Sequence, residues 1–191
     1  MTLIEKAYFI ADGYNQYRDV IEGDEATVTI PKGTTSIVSY GFYYHRNLET
    51  LNVPDTLEEI NYEGLAGCSS LKSLILPHGF TTLRASALAG CLSLETLYLP
   101  NTLSIVNADC ISGCSSLKNV TFENGFNCNT SSNMNFGVST QYTADTLVGM
   151  FNALADRTGD TAYTLYIGSD NIVKLTAEQI AIATNKNWNL A

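Results

Sequence analysis

A seven-residue motif recurs in this chain at a fixed interval of 23 residues. It reads GCSSLKS at residues 67–73, GCLSLET at 90–96 and GCSSLKN at 113–119. Written in rows of 23, residues 28–50, 51–73, 74–96 and 97–119 align, and a fifth row begins at Val120 before losing register. A period of this length is typical of a solenoid, because one such unit cannot bury its apolar side alone.

Each row begins with an apolar residue, a variable residue and a second apolar residue, which predicts a short strand. These positions hold Val28, Leu51, Leu74, Leu97 and Val120, then Ile30, Val53, Leu76, Leu99 and Phe122. A proline follows in four rows and ends the strand, because it lacks an N–H and fixes φ. Further apolar columns hold Ile37, Ile60, Leu83 and Val106; Phe42, Leu65, Leu88 and Ile111; and Leu48, Leu71, Leu94 and Leu117. Stacking of these rows predicts a parallel sheet over one continuous core.

The pattern L-x-L-P-x-x-L-x-x-I-x-x-x-G-L-x-G-C-S-S-L-K resembles the BspA-like class of leucine-rich repeats over residues 28–124. The resemblance implies an α/β fold: a right-handed leucine-rich-repeat solenoid with a parallel β-sheet, about five coils, capped at both ends. We expect an N-terminal cap at residues 1–27, repeats at 28–126 and a C-terminal capping module at 127–191.

Both ends carry apolar residues suited to closing the stack. Leu3, Ile4, Tyr8, Phe9 and Ile10 are predicted to cover the first coil. At the other end the pattern predicts helix, strand, helix: Leu147, Met150, Phe151 and Leu154 at helical spacing, a strand at 163–168, and a helix opened by a Thr176–Gln179 capping box. The LTAEQIAIATNKNW ending resembles the module that closes BspA-like arrays in bacterial and phage-encoded proteins. We expect a cap integral to the stack, since about 50 residues make a marginal core alone.

One column holds Cys68, Cys91 and Cys114, with His45 at the same place in the first row. Cysteine and histidine are zinc ligands, but a spacing of 23 stacks them in a line rather than around a tetrahedron. We therefore predict a ladder of small buried thiols and no metal or cofactor. Cys110 is interpreted as another buried filler, and Cys128 lies outside the scheme.

Two surfaces are candidates for binding. The outward positions of the strands hold Thr29, Asn52, Ile75, Tyr98 and Thr121, beside Thr50, Ser73, Thr96 and Asn119. The Ile75–Tyr98 pair within this polar field is either a protein- or sugar-binding patch or ordinary cross-strand packing. The run SYGFYYHRN at 39–47 offers Tyr40, Tyr43, Tyr44 and Arg46 either as contact residues or as a seat for the N-terminal cap, with Tyr14 and Tyr17.

A column of alternating charge, Glu49, Lys72, Glu95 and Lys118, lies beside the strands. Adjacent coils would place opposite charges side by side, which supports the register of the stack. We interpret this column as structural and not as a ligand site.

Composition and motifs exclude several function classes. The formal net charge of −9 and pI of about 4.5 argue against nucleic acid and against an anionic membrane surface. No secretory signal, membrane-spanning stretch or catalytic, nucleotide or calcium motif is evident, so we expect a non-enzymatic protein that begins in a cytoplasm. No paired carboxylates in a recognisable motif support a glycan hydrolase.

The resemblance implies a binding or assembly module for protein or surface-glycan partners. We expect no nucleic-acid partner and no membrane insertion. A phage virion structural or host-recognition protein, present as a homo-oligomer or particle component, is the favoured form, with virion-associated and otherwise cytoplasmic localisation. The alternatives are an intracellular bacterial interaction scaffold and a fragment of a bacterial surface adhesin.

Overall fold

The first side of the solenoid is a five-stranded parallel sheet, here called the main sheet. A computed structural model describes residues 8–11, 14–17, 25–129 and 134–191. The strands are β3 (Thr27–Thr29), β5 (Thr50–Asn52), β7 (Ser73–Ile75), β9 (Thr96–Leu99) and β11 (Asn119–Phe122), in sequence order across the sheet. Neighbouring strands pair with an offset of 23 residues, so Leu74 lies opposite Leu97. The predicted repeat is therefore the physical repeat of the stack.

A second side is formed by two-residue strands at the column of Ile37, Ile60, Leu83 and Val106. They are β4 (Ser36–Ile37), β6 (Glu59–Ile60), β8 (Thr82–Leu83) and β10 (Ile105–Val106), and they pair in parallel. The hairpin of β1 (Tyr8–Ala11) and β2 (Tyr14–Tyr17) extends this sheet, because β2 pairs in parallel with β4. The sequence predicted only inward contacts here. The sequence predicted that Leu3, Ile4, Tyr8, Phe9 and Ile10 cover the first coil. The first two residues, and the side chains of the other three, lie outside the part of the chain that the structure describes.

The third side of each coil is a turn that is bonded to the next turn in the stack. The Phe42 N–H donates to the Gly64 carbonyl at 2.7 Å, and the Leu65 N–H donates to the Ala87 carbonyl at 2.9 Å. Each backbone amide in this ladder is thus satisfied by the following coil. The ladder keeps equivalent side chains of successive turns side by side.

The apolar columns predicted from the sequence fill the space between these three sides. Phe42, Leu65 and Leu88 are buried, as are the strand residues Val28 and Leu97. The same core continues into the C-terminal part through Phe122 and its neighbours.

The C-terminal part contains the predicted helix, strand and helix together with further short elements. In order they are a 3-10 helix (Phe136–Val138), α1 (Ala144–Ala153), β12 (Tyr163–Leu165), α2 (Ser169–Ile172), α3 (Ala177–Thr184) and β13 (Trp188–Leu190). The predicted capping box of Thr176 and Gln179 is confirmed at the start of α3. Strand β13 pairs in parallel with β12. Phe126 forms a bridge with Leu154, which ties the end of α1 to the stack.

No helix within the described ranges combines the length and apolar character needed to cross a membrane.

Candidate functional site

The turn of the first coil carries a cluster of exposed aromatic side chains. Tyr40, Tyr43 and Tyr44 are 47%, 45% and 52% exposed, and Tyr62 of the second coil is 42% exposed. Phe42 between them points into the core, as predicted. Tyrosines so placed contribute little to core packing and offer apolar area with a hydroxyl at its rim.

The rings of this cluster meet edge to face. The centroids of Tyr43 and Tyr44 lie 4.4 Å apart with planes at 89°, and those of Tyr40 and Tyr43 lie 5.3 Å apart at 88°. Tyr62 meets Tyr40 in the same way at 5.4 Å. The Arg46 guanidinium carbon lies 5.1 Å from the centre of the Tyr44 ring, within cation–π range. The four rings therefore hold one another in a defined arrangement at the surface.

Tyr44 occupies a backbone position that the following coils give to glycine. Its φ is 58°, and the equivalent Gly67, Gly90 and Gly113 have φ of 76°, 73° and 76°. The left-handed region costs a side-chain-bearing residue about 1–2 kcal/mol, whereas glycine adopts it freely. The first coil therefore carries a bulky ring where the local backbone favours none.

An open groove of about 540 Å³ lies beside this ring and extends across the second and third coils. Tyr43, Tyr44 and Arg46 stand at one end, at columns that hold Ala66, Gly67 and Ser69 in the second coil and Ala89, Gly90 and Leu92 in the third. We call this feature the tyrosine groove. Its floor is low because these floor residues, apart from Leu92, have small side chains or none.

Gly67 leaves room for the Tyr44 ring to pack against the backbone of the second coil. A Cβ atom built on Gly67 would sit 3.0 Å from Cδ1 and 3.1 Å from Cγ of Tyr44, closer than ordinary contact. A Cβ on Gly90 would meet only Gly67, at 3.7 Å. The end wall and the floor of the groove are thus fitted to each other.

Among the lining residues that the structure describes, Glu63 is the one carboxylate. A hydrogen bond between Glu63 and the Tyr62 hydroxyl, with the Glu63 charge second, raises the pKa of Tyr62 to about 12. Glu63 has a left-handed backbone, and so do the residues at the equivalent turn position of the other coils, Tyr40, Ser86 and Asp109. This column therefore holds two acidic residues and no basic residue. The groove rim is therefore negative at Glu63 and positive at Arg46.

The second candidate surface has the predicted alternation. Ile75 is 53% exposed and lies opposite Tyr98 in the register of β7 and β9. Of the polar positions around this pair, Thr29, Thr50, Asn52, Ser73, Asn119 and Thr121 are exposed and Thr96 is half-buried. An open groove of about 440 Å³ runs beside Thr50, Asn52, Ser73 and Ile75. The face is exposed, and a binding role for it stays a prediction.

The cysteine column is a ladder of buried thiols, as predicted. Cys68, Cys91 and Cys114 donate to the carbonyls of Phe42, Leu65 and Leu88 at 3.2, 3.3 and 3.3 Å. All five cysteines, with Cys110 and Cys128, are buried and form no disulfide bond. Burial raises the pKa of the Cys128 thiol to about 12, and this residue belongs to the same core. Within the described ranges, no group of three His, Cys, Asp or Glu residues is placed to hold a metal ion.

The alternating charges form two ion pairs between adjacent coils. Lys72 Nζ lies 2.5 Å from a Glu49 carboxylate oxygen, and Lys118 Nζ lies 2.7 Å from Glu95. Both pairs are exposed, so the column supports the register only modestly.

The repeat columns, the turn ladder and the thiol ladder together define the family of this chain. The family model described as BspA type leucine rich repeat region, in 6 copies, matches residues 26–142. The chain belongs to this family. The match extends beyond residue 126, the predicted end of the repeats. No curated protein matches the sequence.

One solved structure has the same fold over nearly the whole chain. The pneumococcal vaccine antigen PcpA matches 96% of this chain with a TM-score of 0.63 and 19% identity. A leucine-rich repeat protein from Bacteroides ovatus matches 59% of the chain with a TM-score of 0.49 and 23% identity. The match covers 47% of the PcpA chain and 36% of the Bacteroides chain, so this chain spans about half and about a third of them.

Of the groove lining, only Tyr43, Tyr44 and Arg46 were identified as contact residues from the sequence; Glu63 and Leu92 were not, nor was Tyr62 in the neighbouring ring cluster. The signal was present in the aligned rows, where Tyr44 stands in the column of Gly67, Gly90 and Gly113. The column containing Tyr40 and Glu63 gave no signal, because left-handed turns at non-glycine residues are not evident from residue type.

Proposed function

We propose that this leucine-rich repeat protein is a non-enzymatic protein-binding module and that the tyrosine groove is its binding site. The observation that carries the proposal is Tyr44, a half-exposed ring held at a left-handed position where the next three coils have glycine. Because the ring is half-exposed, the free energy gained by burying it offsets only part of this backbone strain. Strained residues of this kind tend to cluster at functional sites.

The chemistry of the groove supports a protein partner over a glycan. Tyrosine and arginine dominate the energetically important positions of protein interfaces, and both stand in the end wall. The described lining also has the Glu63 carboxylate and the Ser69 and Ser86 hydroxyls but no side-chain amide, so polar recognition is a smaller part of the groove than its aromatic end wall. The glycan partner therefore becomes an outcome of the experiment and not the proposal.

The test compares two surface variants that disable different faces. Tyr44→Gly gives the first coil the residue that the later coils have, and Ile75→Ala removes the exposed apolar residue of the main sheet. Immobilised wild-type protein and both variants would be exposed to a lysate of the source cells, and retained proteins would be quantified by mass spectrometry. We expect partners to be retained by wild type and Ile75→Ala and lost from Tyr44→Gly.

The opposite pattern would overturn the assignment of the site. Loss from Ile75→Ala with retention by Tyr44→Gly would move binding to the main-sheet face around Ile75 and Tyr98. Equal retention by all three proteins would exclude both faces. Chemical denaturation of each variant supplies the folding control, with an unchanged midpoint expected for Tyr44→Gly or a slightly higher one.

The setting of this module is a separate proposal. A phage virion or host-recognition role, an intracellular scaffold and a surface adhesin all require a binding module, and each stays a prediction. Light scattering during size-exclusion chromatography distinguishes among them in part. A closed oligomer would favour a particle component, and a monomer would favour a stand-alone module.

A further inference from the structure

Building on the proposed function, we propose that the tyrosine groove takes an extended peptide segment of a partner protein, containing proline and one basic side chain that pairs with Glu63. The site extends across three coils, its end wall is aromatic, its floor residues other than Leu92 are small, and Glu63 forms no ion pair with a described lysine or arginine. Each of these features restricts the occupant.

The dimensions of the groove fit a short extended segment. Adjacent parallel strands lie about 4.8 Å apart, so three coils span roughly 10 Å. A polyproline-type chain rises about 3.1 Å per residue, so about three to four residues would cross this span. The groove volume of about 540 Å³ is of the same order. A folded helix, about 10 Å wide with its side chains, would not descend to the floor.

The aromatic end wall and the low floor favour proline. Near-perpendicular rings, such as Tyr43 and Tyr44 at 89°, leave angular slots with an apolar face on one side and an edge on the other. Aromatic-lined grooves bind proline-rich segments because the pyrrolidine ring fills such slots and the peptide loses little entropy on binding. The Tyr44 ring already covers Gly67, whereas Gly90 of the third coil has no side chain and is not in contact with the ring, so the peptide can approach the floor closely there.

The charges of the groove favour a basic residue in the peptide. Among the described residues, no lysine or arginine forms an ion pair with Glu63. Arg46 lies instead over the Tyr44 ring, on the opposite rim. Asp109, in the same column as Glu63 but beyond the groove lining, adds negative potential along this edge. A lysine or arginine that enters above the second coil would complete the Glu63 pair.

The test begins with a displayed library of random twelve-residue peptides selected on the wild-type protein, and each enriched peptide is then measured on wild type and on Tyr44→Gly. We expect the enriched peptides to share proline and a lysine or arginine. A representative synthetic peptide would then be measured by fluorescence anisotropy. Glu63→Gln should weaken its binding at least tenfold, while the matched variant Asp109→Asn should weaken it less than threefold. Replacement of the basic residue of the peptide by norleucine should remove the difference between wild type and Glu63→Gln.

The outcomes separate this proposal from the proposed function. Peptides sensitive to Tyr44→Gly but lacking proline or a basic residue would overturn the proposed occupant and leave the binding site standing. Peptides that bind Tyr44→Gly as well as wild type, or no enriched peptide at all, would overturn both. Tyr43→Ala is the second variant, because it removes the neighbouring ring without touching the left-handed position. Loss of binding is expected for it as well, and full binding would contradict the aromatic end wall.

Discussion

The turn of the first coil and the turn of the third coil have nearly the same backbone and opposite surfaces. Phe42 and Leu88 occupy the same buried column, and Tyr44 and Gly90 the same left-handed position, at φ of 58° and 73°. The exposed columns differ, since the first coil has Tyr43 and Tyr44 where the third has alanine and glycine. The difference between them creates the groove, because the tyrosines of the first turn form a wall at one end of a floor that continues to the third turn.

This comparison separates the inward residues that stabilise the solenoid from the outward residues that vary between coils. The inward columns and the ladder of backbone hydrogen bonds recur in every coil, because every coil meets the same packing problem. The outward columns are free of that constraint and can carry function. Four predictions test this separation, and they are arranged by expected size.

The largest effect is expected from the shared buried column. Phe42→Ala should lower the free energy of unfolding by about 3–5 kcal/mol and Leu88→Ala by about 2–5 kcal/mol, because each leaves a cavity in a close-packed core. Tyr43→Ala, the exposed neighbour, should cost under about 1.5 kcal/mol, the scale of its aromatic contacts. Urea denaturation measures all three. A cost for Tyr43→Ala equal to that of Phe42→Ala would mean that the tyrosines belong to the core.

The next effect concerns the column in which the coils differ inside the core, His45 in the first and cysteine in the others. Hydrogen bonding with the Cys114 thiol, followed by burial, raises the pKa of the Cys91 thiol well above its ordinary 9.0. The folded state therefore holds this proton more tightly than the unfolded chain. Stability is fully present below pH 9 and falls as the pH rises above it, by at most about 1.4 kcal/mol per pH unit for one group.

Denaturation at a series of pH values from 7 to 11 measures this slope, and Cys91→Ala should reduce it. His45→Ala is the matched variant in the first coil and should leave the alkaline slope unchanged. An identical slope in wild type and Cys91→Ala would show that the buried thiol does not contribute to it.

The same distinction, between columns that repeat in every coil and columns that differ, explains which parts of the fold and of the groove could be predicted from the sequence. Columns that repeat were predictable, since the burial of Phe42, Leu65 and Leu88 and the thiol ladder are required in every coil. The second sheet was not predicted, because a two-residue strand such as Ser36–Ile37 is too short to show an alternation. The groove was not predicted because it depends on a difference between neighbouring coils, Tyr44 against Gly67, and not on any residue pattern within one coil.

A smaller effect is expected from the glycines of the floor. Gly90→Ala should cost about 1 kcal/mol, because its Cβ has room and only the left-handed backbone opposes it. Gly67→Ala should cost more, because its Cβ also presses on the Tyr44 ring. In a Tyr44→Gly background the two costs should become equal, which a double-mutant cycle measures. A persistent difference would place the extra cost of Gly67→Ala somewhere other than the Tyr44 ring.

The smallest effect is expected from the two exposed ion pairs between adjacent coils. Lys72→Ala breaks the pair with Glu49 between the first and second coils, and Lys118→Ala breaks the pair with Glu95 between the fourth row and the third. Both pairs are exposed, so each variant should lower the free energy of unfolding by about 0.2–1 kcal/mol, and less in 1 M salt, where the screening length falls to about 3 Å. Because the two pairs join adjacent coils through equivalent positions of the repeat, the two losses should be equal. A larger loss for Lys72→Ala would mean that the tyrosine-bearing first coil depends more on its ion pair to remain docked on the stack than the fourth coil does.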